Sequence, residues 1–425
     1  MRYVVVGLHA AGRSACMWLR KADRTAEIVG VDPSPAPLYS RPLISYALAG
    51  EMTPEAMNVA GEDFWADLGV TLARERAASL DPGRGSLVLA SGRTLAYDRL
   101  LLACGAIPRP VEAGGPLTGE ICFFRGRTDL ERILNRVRPG GTAAVLGGGL
   151  VGFKLTVGLL KRGMAVTLIV ASPRPLALNV DEHVGGWVGE RLRNTPGVTL
   201  LTSTSVTSVE SGAEAGSSRP LRLLLDTGGF LDVDLVAAGK GVTPEIGWLS
   251  HSGLECDYGV LSDGFLRTCD ERIYVAGDLA QAPDVVFGDR RTNAIWPVAV
   301  EQGRVAALNM AGVKTPYAGT MAMNAIPVFG SRMVSVGAVN PALTRDCEFV
   351  VADGPRDSYL KLVFRENRLV GAVGLDAPPR LGELACAVKR GLNRRELPGW
   401  WLSNPKNAAP LAAPGFSLAR NAGLG

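Results

Sequence analysis

Two stretches of this chain spell out the same order of elements, and that repetition constrains the fold more than any other feature. Tyr3-Val4-Val5-Val6 is a β-branched run ending in Gly7. Small residues follow to Gly12, then a helical pattern through Ala15, Cys16 and Leu19, then Glu27-Ile28-Val29-Gly30-Val31 and Asp32. Farther on, Ala143-Ala144-Val145-Leu146 leads into Gly147-Gly148-Gly149-Leu150-Val151-Gly152, a second helical stretch, and Val166-Thr167-Leu168-Ile169-Val170. Strand, glycine turn, helix and second strand make the βαβ unit that binds a dinucleotide. The first glycine permits a tight turn, the second lets backbone approach a pyrophosphate, and the third lets helix and strand pack closely. The free N–H groups and positive dipole end of the helix then face the phosphates.

The two copies differ in informative ways. Gly147, Gly149 and Gly152 complete the GxGxxG pattern, whereas between Gly7 and Gly12 the middle position is His9. His9 either donates a hydrogen bond to phosphate or is merely tolerated there. Asp32 ends the first unit where a carboxylate accepts hydrogen bonds from the adenosine ribose. The second unit has Val170-Ala171-Ser172 there, with Arg174 close by. Without a carboxylate the usual preference for NAD(H) is gone, and Ser172 or Arg174 could meet a 2′-phosphate. The choice between NAD(H) and NADP(H) stays open.

A chain of 425 residues is long enough for two or three domains, and 47% apolar residues can fill their cores. The formal charge of +4, with no Lys/Arg run, does not suggest nucleic-acid binding. The first residues read directly as a strand rather than a secretory signal, and no apolar run is long enough for a membrane span. A cytoplasmic protein is the expectation. None of the seven cysteines forms a CxxC or similar motif, which argues against a local zinc site, a cluster or a sequence-adjacent redox disulfide.

Further segments resemble those of the pyridine nucleotide–disulfide oxidoreductase superfamily, the two-dinucleotide-binding flavoproteins. Tyr97-Asp98-Arg99-Leu100-Leu101-Leu102-Ala103-Cys104-Gly105-Ala106 resembles its YDxLLLATGA segment, with Cys104 in place of Thr. Ile273-Tyr274-Val275-Ala276-Gly277-Asp278 resembles its second FAD signature, and Ala299-Val300-Glu301-Gln302-Gly303-Arg304 the helix that follows. The resemblance implies an α/β fold with two Rossmann-like domains, for FAD and NAD(P), and a C-terminal α+β interface domain. FAD would be held by 1–112 with 246–315, and NAD(P) by 113–245. Residues 316–395 would form the interface domain and 396–425 a tail.

The residues that carry these roles follow from the same motifs. The FAD site would comprise Gly7, His9, Gly12, Asp32, Arg41, Pro42, Cys104, Gly105, Gly277, Asp278, Glu301 and Gln302. The nicotinamide cofactor would meet Gly147, Gly149, Gly152, Ser172, Arg174 and Gly241. Trp296 would sit by the isoalloxazine, unless it is merely core. Lys154 stands where the family's GGGxxGxE motif has Glu; it either stabilises anionic reduced flavin, pairs with a carboxylate, or is a displaced surface lysine. These two are the catalytic candidates.

The stretch Tyr39 to Gly50 resembles that of nitrite reductase flavin domains and ferredoxin-reductase-type flavoproteins, and it lacks the reactive cysteine that disulfide reductases place there. Gly239-Lys240-Gly241-Val242-Thr243-Pro244 with the segment from Asn293 to Arg304 resembles a narrower group, the NAD-linked flavin subunits of iron–sulfur enzymes of the phenylglyoxylate dehydrogenase type. The implied function is hydride transfer between nicotinamide and FAD, with electrons exchanged with an iron–sulfur partner, as a subunit of a hetero-oligomeric 2-oxoacid dehydrogenase complex. The alternatives are a stand-alone oxidase or persulfide/disulfide reductase, and a redox-gated scaffold. Two further expectations concern the C-terminal part: a hairpin turning at Arg365-Glu366-Asn367-Arg368, and a tail whose Trp400 and Trp401 dock on a partner subunit.

Overall fold

The computed structural model describes residues 1–34, 38–213, 218–353, 358–377 and 380–403. Contacts divide the chain into two units, Met1–Ala322 and Met323–Gly425.

The first unit holds two five-stranded parallel sheets of the same strand arrangement. One runs Val70–Ala73, Glu27–Val31, Arg2–Val6, Arg99–Leu102, Ile273–Val275; the other runs Val198–Thr202, Ala165–Val170, Thr142–Leu146, Leu235–Ala238, Cys122–Phe123. A strand covered on both faces needs apolar side chains on both, so its sequence is a continuous apolar run rather than an alternating one. The N-terminal strand illustrates this. Tyr3 and Val5 pack with Ala15, Leu19 and Ile28 on one face. Val4 and Val6 pack with Leu87, Leu100 and Val275 on the other. The fold is thus α/β, as the repeated βαβ pattern implies.

The second sheet is inserted into the run of the first. The chain passes into it along Ala106–Pro108 and returns along Val242–Pro244, and these two short strands pair antiparallel. A hairpin pairs Val206–Ser211 with Leu221–Leu225 across the Ser/Gly-rich segment.

Two helices of the first unit pack at backbone distance. A Cβ placed on Gly303 of the helix Trp296–Met310 would lie 2.1 Å from the Ala11 carbonyl oxygen of the helix Ala10–Ala22. The Ser14 hydroxyl donates to the Val300 carbonyl at 2.8 Å across the same contact. This brings the turn after Gly7 and the turn at Gly277 together: a Cβ on Gly277 would lie 3.2 Å from that of Ala11.

The second unit is a five-stranded antiparallel sheet, Met323–Val328, Ser331–Gly337, Arg368–Leu375, Tyr359–Arg365, Glu348–Asp353, with the helix Leu381–Arg390 against it. The anticipated hairpin turns on Glu366 and Asn367, both at positive φ (49° and 61°), the two-residue geometry that suits the strand twist. Trp401 is fully buried within the chain, on the short helix Gly399–Ser403, so this indole is core rather than a docking surface. The rest of the tail, 404–425, lies outside the described residues, as does the Trp400 side chain. Among the described residues no helix is long and apolar enough to cross a membrane.

Substituting Gly303→Ala is expected to destabilise the protein by about 2–3 kcal/mol, despite the better helix propensity of alanine, because the added methyl meets a backbone carbonyl. Urea unfolding checks this; an unchanged or raised midpoint would mean the two helices are not in backbone contact.

Candidate functional site

The two glycine turns lie at the C-terminal ends of the central strands of the two parallel sheets, where open α/β sheets bind ligands. Gly7 has φ 88°, and a Cβ there would stand 2.3 Å from the Ala103 carbonyl oxygen. A Cβ on Gly12 would stand 1.8 Å from the Gly7 oxygen. His9, at the middle position, is the N-cap of the helix Ala10–Ala22 without a capping side-chain bond. Its ring meets Tyr39 edge-on at 5.2 Å, and its buried Nδ1 has no hydrogen-bond partner. Burial, then the Arg41 charge and more weakly Arg125, lower its pKa to about 4 against the pull of Asp32.

Asp32 is fixed on the same turn, accepting from the Leu8 N–H at 2.7 Å and the Ser34 N–H at 2.8 Å. Its side chain therefore sets the loop. Arg41 opens the short 3-10 segment Arg41–Leu43, followed by exposed Pro42, whose ring fixes the backbone there. Burial, then the like charge of Arg125, lower the Arg41 pKa, with Tyr39, Asp278 and Asp32 opposing. Arg125 belongs to no motif of the sequence and comes to the site only through the fold. It lies in the inserted segment just before the helix Arg127–Leu134, and its guanidinium donates to Asp278 Oδ2 at 2.5 Å. The Asp129 carboxylate holds the turn by accepting from the N–H groups of Arg125 and Gly126. The Tyr39 hydroxyl accepts from the Arg127 N–H at 3.0 Å.

Three buried nitrogens without partners thus converge here: His9 Nδ1, Arg41 Nε and Arg125 Nε. Two guanidinium groups and an open helix N-terminus suit a doubly charged pyrophosphate, and Arg binds phosphate oxygens in a planar fork. The residues present fit the pyrophosphate of FAD.

Around that centre the other motif residues take defined places. Cys104 and Gly105 (φ 83°) follow Ala103 directly under Gly7. Burial first, then Glu245, push the Cys104 thiol up to about 12, so it stays a protonated, unreactive group. Gly277 turns at φ 78° and its N–H donates to Gln302 Oε1 at 2.8 Å. Gln302 is fully buried, and its Nε2 reaches the Tyr317 hydroxyl at 3.3 Å. Gln302 therefore braces the Gly277–Asp278 turn from inside. Trp296 begins the long helix and is half-buried, with Glu301 half-buried one turn later.

The second turn repeats the geometry. Gly147 has φ 112°; a Cβ there would stand 2.7 Å from the Gly239 oxygen, and one on Gly152 would stand 1.7 Å from the Gly147 oxygen. Gly149 and Gly241 have no atom within 4 Å of a Cβ position, so both face open space. Register makes Val170 the counterpart of Asp32: Gly7 donates to Val31 and Gly147 to Ile169, the residues just before each. Val170 is buried against Gly148, and no carboxylate stands at this position. The Ser172 hydroxyl donates to the Arg174 carbonyl at 2.8 Å, and Arg174 reaches the Val180 carbonyl at 3.4 Å while lying along Gly185. Lys154, on the helix Leu150–Lys161, is half-buried, and burial lowers its pKa.

Two matched dinucleotide turns on one chain define the class, a two-dinucleotide-binding flavoprotein fold. The family model for pyridine nucleotide-disulphide oxidoreductases matches residues 1–303. NADH-dependent phenylglyoxylate dehydrogenase subunit epsilon of Aromatoleum evansii is 30% identical over 411 residues, 95% of each chain. Rubredoxin-NAD(+) reductase of Pseudomonas putida is 28% identical over 393 residues, 92% of this chain and 99% of that one. Among solved structures, the covalent putidaredoxin reductase–putidaredoxin complex shares the fold with a TM-score of 0.83 at 24% identity, covering 92% of this chain and 94% of that one. A NAD-dependent persulfide reductase from A. fulgidus gives a TM-score of 0.84 at 25% identity, over 92% and 77%. The chain belongs to the pyridine nucleotide-disulphide oxidoreductase family and is an FAD-dependent NAD(P)H oxidoreductase.

Two outcomes test the assignment of the first turn. Replacing Arg41 or Arg125 by Ala is expected to weaken FAD binding to the apoprotein roughly 10- to 100-fold, the size of one charge-assisted hydrogen bond, by fluorescence titration. Unchanged affinity in both variants would remove them from the site. For His9, a folded pKa of about 4 lies below the unfolded value of 6.5, so only the unfolded chain takes up a proton between them. Flavin-free protein should therefore lose stability as pH falls from 6.5 toward 4, by about 2–3 kcal/mol, and not change on this account above 6.5. His9→Asn should flatten that slope in urea titrations; an identical slope would assign it to other groups.

Proposed function

We propose that this chain moves electrons between a nicotinamide cofactor and an iron–sulfur protein through FAD, as the NAD-linked subunit of a larger 2-oxoacid dehydrogenase complex of the phenylglyoxylate type. FAD, when bound, would supply hydride exchange with the nicotinamide and single-electron exchange with a metal centre. The chain's own residues bind, orient and exclude water. His9, Arg41 and Arg125 hold the flavin pyrophosphate; Asp32 meets the adenosine ribose; Asp278 meets the ribityl chain, on a turn that Gln302 braces. Gly147, Gly149 and Gly152 admit the nicotinamide dinucleotide, with Gly241 beside them, and Trp296 lies by the flavin ring.

The single observation that carries the reading is the state of the thiol at this site. Cys104 lies directly under the first glycine turn with its pKa raised to about 12, which leaves no thiolate to relay electrons. Cys16, in the helix after that turn, is fully buried and likewise pushed up to about 12. The absence of a thiolate at this turn supports exchange of the flavin's electrons with a second protein. Two relatives of similar length support the partner and the setting. One is named rubredoxin-NAD(+) reductase and the other a subunit of NADH-dependent phenylglyoxylate dehydrogenase, which supports an iron–sulfur or rubredoxin-type protein as the electron partner, NAD(H) as the nicotinamide cofactor and the phenylglyoxylate-type complex as the setting.

The FAD-loaded chain is expected to reduce a one-electron dye or an oxidised iron–sulfur protein rapidly with NADH, and oxygen, CoA disulfide or persulfide slowly. Steady-state assays on the isolated chain check this, and purification from the native host should bring iron–sulfur subunits with it. Fast consumption of oxygen or persulfide would replace the proposal with a stand-alone oxidase or reductase. Failure of NADH and NADPH to bleach the flavin would leave a flavin-bearing scaffold.

A further inference from the structure

We infer that Lys154 makes the nicotinamide site distinguish the two redox states of its own ligand, favouring the uncharged reduced ring over the cationic oxidised one. The site then holds NADH more tightly than NAD+. This rests on the reading of the Gly147–Gly152 turn as the nicotinamide site.

The placement of Lys154 comes from the helix that bears it. Lys154, Gly158 and Arg162 are spaced at four-residue intervals at the C-terminal side of the turn and share one helix face. A Cβ on Gly158 would lie 2.8 Å from Leu48, and Arg162 donates to the carbonyls of Leu48 (2.7 Å) and Ala47 (3.0 Å). That face therefore packs on the helix Ile44–Leu48, which continues directly from Arg41 of the flavin site. Lys154 is the member of the row nearest the Gly147–Gly152 turn. The row therefore sets Lys154 at the turn end of the helix face that meets the flavin half of the unit, the side on which a nicotinamide must lie to pass a hydride to a flavin.

Its charge is not cancelled by the protein. Among the described residues no carboxylate or hydrogen-bond acceptor engages the ammonium. Lys161 takes the one carboxylate of the adjoining segment, Glu51, and Arg162 is held by carbonyls. Lys154 is half-buried, so solvent screens it only in part, and burial lowers its pKa in keeping with that setting.

The consequence is electrostatic. A hydride carries two electrons and one proton from the neutral reduced ring to the flavin, leaving the nicotinamide ring with one positive charge. A fixed ammonium nearby opposes that charge. For unit charges ~8 Å apart at an effective dielectric constant of ~20 to ~40, the penalty on the oxidised ring is roughly 5- to 30-fold in affinity.

The test is equilibrium binding to the oxidised FAD holoenzyme of two ligands, NAD+ and 1,4,5,6-tetrahydro-NAD, whose saturated ring is uncharged and donates no hydride. Wild type should bind the tetrahydro analogue roughly 5- to 30-fold more tightly than NAD+. Lys154→Gln and Lys154→Met should bring that ratio close to one, mainly by tightening NAD+; Lys154→Arg should preserve it and Lys154→Glu invert it. A ratio unchanged in the neutral variants overturns the inference, as does an equal loss of both ligands, which would make Lys154 a phosphate contact. Anaerobic bleaching of the flavin by NADH in the same preparations separates the two levels. Bleaching with an unchanged ratio sinks this inference alone, and no bleaching in wild type sinks the reading beneath it.

Discussion

Two backbone crossings, each too tight for any side chain, hold the structure's function in place. At Gly7 and Gly12, and again at Gly147 and Gly152, the chain folds back so closely that a methyl group would fall within 2.3 Å and 1.8 Å, or 2.7 Å and 1.7 Å, of a carbonyl oxygen. Each crossing aims a helix N-terminus at the end of a parallel sheet and leaves backbone N–H groups without partners. Everything else at the two sites is arranged around those donors. The flavin turn adds cations, Arg41 and Arg125, and the nicotinamide turn adds open volume beside Gly149 and Gly241.

The two halves are joined by more than the paired strands Ala106–Pro108 and Val242–Pro244. Arg125 leaves the inserted segment to pair with Asp278, the Arg127 N–H meets the Tyr39 hydroxyl, and the helix Leu150–Lys161 packs on the helix Ile44–Leu48. Each of these joins a residue of the inserted segment to one beside the flavin turn. A flavin pyrophosphate held by both Arg41 and Arg125 would therefore bridge the two halves, so that binding one cofactor organises the ground on which the other docks.

Much of this was legible in the sequence because its cause is local. A glycine turn between an apolar strand and a helix is what a dinucleotide site requires of the backbone, and its second occurrence pointed to the α/β architecture, while the segments 97–106, 273–278 and 299–304 carried the family resemblance. The hairpin at Glu366–Asn367 was equally local. What the sequence hid depends on long-range packing. Arg125 lies far from any cofactor motif, and only the fold brings it to Asp278. Gln302 stands in a motif helix, so it reads as a cofactor contact, while its amide is held by Gly277 and Tyr317. The pair Trp400-Trp401 reads as a docking surface, but Trp401 is buried within its own unit. Strand register, invisible in the linear pattern, set Val170 opposite Asp32 and left Ser172 and Arg174 bonded within their own loop.

The flavin is, on this reading, the last redox group on the chain. An anaerobic titration of the FAD-loaded protein with NADH, followed by flavin absorbance, tests that claim most directly. The predicted result is complete bleaching with one equivalent of NADH per FAD, two electrons in all. A requirement for two equivalents, four electrons, would reveal a second acceptor such as a thiol pair and contradict it.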